Sequence, residues 1–190
     1  QGIMETALGI FSAFGLSASA GLNAYIPLLV IALMARFTNL ITLSKPWDAL
    51  TSWWIIGLLV VLTMVEFLVD KFPAFNHVND FIVQTFVRPA AGAIAFAASA
   101  NVITEVHPIL AIALGILVAG SVNAVKSLAV RPAVTAATGS AGNTPVSMAE
   151  DATSTTLSVM SVVAPVVVAI VLVSAASYAL YYFFLRSPEE

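Results

Sequence analysis

Long apolar runs alternate along the chain with narrow polar positions, and the spacing of both is helical. The first run extends from about Glu5 to Phe37, too long for one helix lying straight across a bilayer. Within it, "GLSASAGLNAYIP" (15–27) gathers small residues, then Asn23, then Pro27, which predicts a break or sharp bend near Gly21–Asn23. "TNLITLSKPWDALTS" reads as a loop, and a second helix is expected over Ser52–Val69. An amphipathic stretch follows from His77, with Asn76 as its N-cap, and Pro89 should push Arg88 out of the helical region. "AAGAIAFAASAN" is about half a span, "NVITEVHP" reads as a turn, and a clear span covers Ile109–Val125. Residues 130–151 hold too much Gly, Thr, Ser and Pro for a lipid-facing span. A last helix is expected over Ser147–Phe184, kinked at Pro165.

Each segment carries one polar face. Ser12, Ser19 and Asn23 share a face of the first, and Thr63, Glu66 and Asp70 a face of the second. His77, Asp80, Gln84 and Arg88 form a third stripe at steps of three, four and four. Asn123, Ser127 and Arg131 form the fourth. Ser147, Glu150, Asp151, Ser154, Thr155, Ser158 and Ser161 line the start of the last helix. Packed together, these faces would enclose a hydrophilic interior.

Composition turns that pattern into a class. Only 9% of residues are charged and 60% are hydrophobic, with a mean hydropathy of +1.00. A soluble domain carries about 25% charged residues. The expectation is therefore an all-α integral membrane protein of five to seven transmembrane or re-entrant helices, forming a single domain. A secretory signal is not read at the start, so insertion through the first span is expected. Without cysteine, thiol chemistry and iron–sulfur clusters are excluded, and a net charge of −3 from scattered groups argues against nucleic acid. Lys71, Lys126 and Arg131 would fall on one side of the membrane and Arg36, Lys45 and Arg186 on the other, too even a split to orient the chain.

A charge in hydrocarbon costs about 2.5–3.5 kcal/mol on insertion scales, so buried ionic groups should face one another or a wet cavity. Glu66, Asp70, Asp80, Glu150 and Asp151, with Asn23 and Asn143, are oxygen donors of the kind a hard cation takes, and they outnumber the arginines. The plainer readings stand beside this one. Lys71 fits the headgroup region and His77 a helix start, while Arg88 and Arg131 would each neutralise a carboxylate such as Glu66, Asp80, Glu150 or Asp151. The Ser/Thr stripe would serve as interhelical glue. The chain has no nucleophile elbow, zinc-protease helix, phosphate loop or dinucleotide fingerprint, so an enzyme is not expected. No cofactor beyond a bound cation is implied.

"VRPA" occurs at 87–90 and again at 130–133, an offset of 43 residues (88 to 131) that also sets Asp80 on Asn123 and Gln84 on Ser127. "SAGLNAYIP" (19–27) similarly echoes "SAGNTP" (140–145). Two related halves, about 5–100 and 101–186, with broken helices in each, would account for both, and such breaks mark the binding sites of transporters. The strings "GLSASAGLNAYIPLL", "EFLVDKFPAFNHVNDFIVQTFVRPAAGA", "VRPAV" and "GNTPVSMAED" together resemble the family of small prokaryotic membrane proteins called domain of unknown function 4126. The resemblance covers about residues 10–170. It brings no established activity and implies a bacterial inner-membrane protein.

The function expected from the residues is a channel or secondary transporter for ions, cations favoured, or for a small polar solute. Glu66, Asp70 and Asp80, with Glu150 and Asp151 across from them, are the expected ion- or proton-coupling groups and the candidate metal ligands. Asn23, Asn123 and Asn143 would add neutral ligands where backbone unwinds, and Arg88, Arg131 and Gln84 would balance charge or gate. A lipid or lipid-phosphate translocase and a non-transporting scaffold are the alternatives. Besides lipid, a second copy of the chain is the expected partner.

Overall fold

A computed structural model of the chain describes residues 2–69 and 82–182. Among these there is no strand. Nine helices follow in order: α1 (Ile3–Leu22), α2 (Tyr25–Phe37), α3 (Trp53–Val69), α4 (Arg88–Ser99), α5 (Asn101–Val106), α6 (Pro108–Val125), α7 (Arg131–Thr138), α8 (Asn143–Val163) and α9 (Pro165–Leu180). Five-residue π turns, Val83–Val87 and Lys126–Val130, lead directly into α4 and α7, so that residues 108–138 run as one helix.

α1 is the central element, packed against α4, α6, α8 and α9. It can hold that position because its inward residues are small: Ser12, Ala13, Gly15, Ser17, Ala18, Ser19, Ala20 and Gly21 are all buried. A methyl group on Gly15 would overlap Ser161 of α8 and Val168 of α9. The α4–α6 crossing is as close, with Gly92 and Gly115 backbone to backbone and Ala119 filling the space beside them. Leu16, Leu28, Ile31, Ile56, Leu59 and Val162 form one apolar core, and Phe96 with Ala13, Ala97 and Ala111 forms a second. Phe14 packs edge-on against Phe96, ring centroids 5.0 Å apart.

Large apolar side chains also lie on the outside. Trp54, Leu58 and Met64 of α3, Ile109 and Leu117 of α6, and Ile170 and Val173 of α9 are all exposed. Among the described residues two helices are long and apolar enough to cross a membrane: Ile3–Leu22, and Pro108–Thr138, whose 31 residues reach about 46 Å. Tyr25–Phe37, Trp53–Val69 and Pro165–Leu180 are apolar but shorter.

Three sequence expectations change. Arg88 keeps helical dihedrals (φ −65°, ψ −48°) despite preceding Pro89, and Arg131 does the same before Pro132. In each case the π turn widens the backbone just ahead of the proline, and the arginine N–H bonds five residues back, to Val83 or Lys126. No such turn precedes Pro165. There Ala164 leaves the helical region (φ −139°, ψ 62°), so the expected kink is a full break between α8 and α9. The "NVITEVHP" turn is the short helix α5; residues 131–151, for which the sequence excluded only a lipid-facing span, run through α7, a 3₁₀ turn over Gly139–Gly142 and the first half of α8.

Candidate functional site

The break between α1 and α2 falls at Asn23, within the predicted stretch, and polar groups from five other helices gather beside it. Asn23 has extended dihedrals, and its side-chain oxygen accepts the backbone N–H groups of Tyr25 and Ile26, both at 3.1 Å. It thereby caps α2. Its amide nitrogen donates to Asp151 Oδ1 at 3.0 Å. The preceding residue, Leu22, ends α1 with a carbonyl that has no partner further along the helix. The Lys126 ammonium supplies one, at 2.9 Å, and lies 2.6 Å from Glu150 Oε2. The same carboxylate oxygen accepts from Arg131 Nη2 at 3.1 Å.

One turn back along α6 lies a second ionic group. Arg88 is 1% exposed and donates from Nη2 to Glu66 Oε1 at 3.1 Å and from Nη1 to Asn123 Oδ1 at 3.2 Å. Asn123 in turn donates to the Gln84 carbonyl at 2.9 Å. The π turn explains that contact. With the Arg88 N–H bonded to Val83, the Gln84 carbonyl would fall to residue 89, and proline has no N–H to give. Asn123 fills the vacancy.

A hydroxyl ladder joins α1 to α8 behind the ionic groups. Ser19 Oγ stands 2.7 Å from Ser154 Oγ and 2.6 Å from Ser158 Oγ, and Ser17 donates to the Gly92 carbonyl at 2.7 Å. Near the other end of α1 lies a cavity of about 450 Å³ between Thr6, Ser12, Thr42, Ser99 and Pro165.

The structure thus brings together Glu66, Arg88, Asn123, Glu150, Asp151, Asn23 and Arg131. Gln84 joins through its backbone carbonyl. Asn143 does not join: it accepts from Thr135 Oγ1 at 3.1 Å at the α7–α8 corner. Thr63 bonds its own helix at Leu59 and Thr155 is exposed, so neither stripe is polar-inward along its whole length. Asp70 and Asp80, with Lys71 and His77, lie outside the described residues. Among the described residues no three His, Cys, Asp or Glu side chains converge as metal ligands. Glu66 and Glu150 are each held by a basic side chain instead, in the charge-neutralising role open to Arg88 and Arg131.

Lys126 is the residue that sequence reasoning misplaced. Counted there only among the charges on one side of the membrane and left out of the polar faces, it is 3% exposed at the centre of the network. The signal was present: it follows Asn123 by three residues on the same helical face, at the end of an otherwise uncharged apolar span.

An all-helical bundle with an ionic interior and an apolar exterior is the class this geometry defines. Residues 10–184 match the family model described as "Domain of unknown function (DUF4126)", and the chain belongs to that family. No curated protein and no solved structure matches it.

Proposed function

We propose that the protein is a multi-pass inner-membrane protein, of five to seven spanning or re-entrant helices, acting as a channel or secondary transporter for ions or a small polar solute. The observation that carries this reading is the inversion of polarity. Glu66, Arg88, Lys126, Glu150 and Asp151 are buried, while tryptophan, leucine and isoleucine side chains of α3, α6 and α9 face outward. Water would not favour that arrangement, and lipid would. Inside lipid, charged residues mark ion and solute pathways, and the site sits at a helix break, where half-helix ends supply carbonyl and N–H groups to a solute.

Cations are favoured when Lys126 is neutral, since three acids, Glu66, Glu150 and Asp151, then face two arginines. A headgroup translocase would present Arg88 and Arg131 to phosphate, but both guanidinium groups are engaged by carboxylates, which supports the ion reading. The test is reconstitution into liposomes with a panel of ions, small solutes and labelled lipids. Ion or solute flux that disappears in Glu66→Gln at equal incorporation supports transport. Flux of labelled lipid alone would establish the translocase. The absence of any flux, with the variants failing in assembly, would establish the scaffold.

A further inference from the structure

Arg88, Arg131 and Lys126 are the cations of the network, and only lysine can release a proton, since a guanidinium stays charged in proteins. The ammonium also occupies a distinctive position. It touches the carbonyl oxygen that ends α1 and a carboxylate oxygen of α8, the donors by which broken helices hold a monovalent cation. Glu150 is 8% exposed, and its second oxygen, Oε1, has no hydrogen-bond partner among the described residues. The charges around Lys126 are Glu150 of α8, with Asp151 next to it, Arg131 of α7, and Arg88 of α4, with Glu66 of α3 behind.

We propose that Lys126 is a tethered stand-in for a monovalent cation, and that this site exchanges one proton, carried on Lys126, for one alkali cation. This rests on the transport reading and names its coupling ion. An N–H bond of the ammonium breaks and the proton leaves to water. The neutral amine withdraws from Leu22 and Glu150, and the alkali cation takes up their oxygens. Net charge in the site is unchanged, which is why a singly charged ion fits and a divalent ion does not. With the proton back on Lys126, the ammonium displaces the cation.

The test is binding by the purified full chain in detergent, read as the unfolding temperature in sodium chloride against choline chloride at equal ionic strength. Lys126→Ala leaves the position open with one uncompensated negative charge. Sodium should therefore raise its unfolding temperature where choline does not. Adding Glu150→Gln should abolish the difference. In the wild-type protein the sodium-specific rise should be absent at neutral pH and emerge as pH increases, and in Lys126→Arg it should be absent throughout. The wild-type pH series decides the matter if Lys126→Ala does not fold. Identical behaviour in sodium and choline, for Lys126→Ala or, failing that variant, for the alkaline wild type, overturns the proposal. Flux without sodium-specific stabilisation sinks this inference alone, whereas sodium-specific stabilisation without flux sinks the transport reading and leaves the cation site standing.

Discussion

Asn123 donates to the carbonyl oxygen of Gln84 at 2.9 Å, the acceptor that Pro89 leaves without a backbone donor. One side chain on α6 thus completes the hydrogen bonding of the turn before α4 and, through its oxygen, holds Arg88. Asn123→Ala removes both partners at once. Leaving a buried acceptor unmatched costs about 1–3 kcal/mol. Unfolding of the variant in detergent should show a loss of that order, and Asn123→Asp, which keeps the acceptor for Arg88 and loses the donor for Gln84, should recover part of it.

The Glu66–Arg88 pair is predicted to be strongly coupled. Removing one partner of a buried pair costs about 3–5 kcal/mol, because the other charge is left unmatched. Glu66→Ala and Arg88→Ala should each be destabilised on that scale, and the double variant by much less than their sum. A double-mutant cycle measures the difference directly. Additive losses would show that the pair does not act as a unit.

At the α1–α2 break, Asn23 serves as cap and as partner to Asp151. Asn23→Ala should lose about 1 kcal/mol from the cap alone, with a further loss from the hydrogen bond to Asp151. Asn23→Asp keeps a capping oxygen yet sets a second carboxylate against Asp151. It should therefore be less stable than Asn23→Ser, which caps without the repulsion. Thermal unfolding of the three variants gives the order.

Close packing of α4 on α6 leaves no room at Gly115. Substitution by leucine forces the two backbones apart and should destabilise the bundle by about 1–3 kcal/mol or more. Leucine at Gly57, where nothing lies within 4 Å, should be tolerated. Equal loss at both positions would show that the α4–α6 contact is not as close as described.

Four of the nine prolines, Pro89, Pro108, Pro132 and Pro165, mark how far local sequence rules reach. Pro108 and Pro165 obey the rule that the preceding residue leaves the helical region, as the dihedrals of His107 and Ala164 attest. Pro89 and Pro132 escape it through π turns that residue-by-residue preference does not predict. The inward faces were readable because helical spacing alone sets them: Ser19, Asn23, Glu66, Glu150, Asp151, Ser154 and Ser158 are buried as the periodicity requires. Pairing between faces was not readable, since it depends on how α1 lies among its neighbours. The reach of Lys126 to Leu22, 104 positions away in the chain, is the clearest instance. The 43-residue echo of "VRPA" extends to its π turns but not to its partners. Arg88 pairs with Glu66, which precedes it, and Arg131 with Glu150, which follows.

The most direct measurement is uptake of radiolabelled sodium into liposomes holding equal amounts of wild-type protein or Glu150→Gln. An ion pathway through the buried network predicts uptake well above that of protein-free vesicles for the wild type, falling to the protein-free level in the variant. Uptake that is indistinguishable between wild-type and empty vesicles, or undiminished by the loss of Glu150's charge, would contradict it.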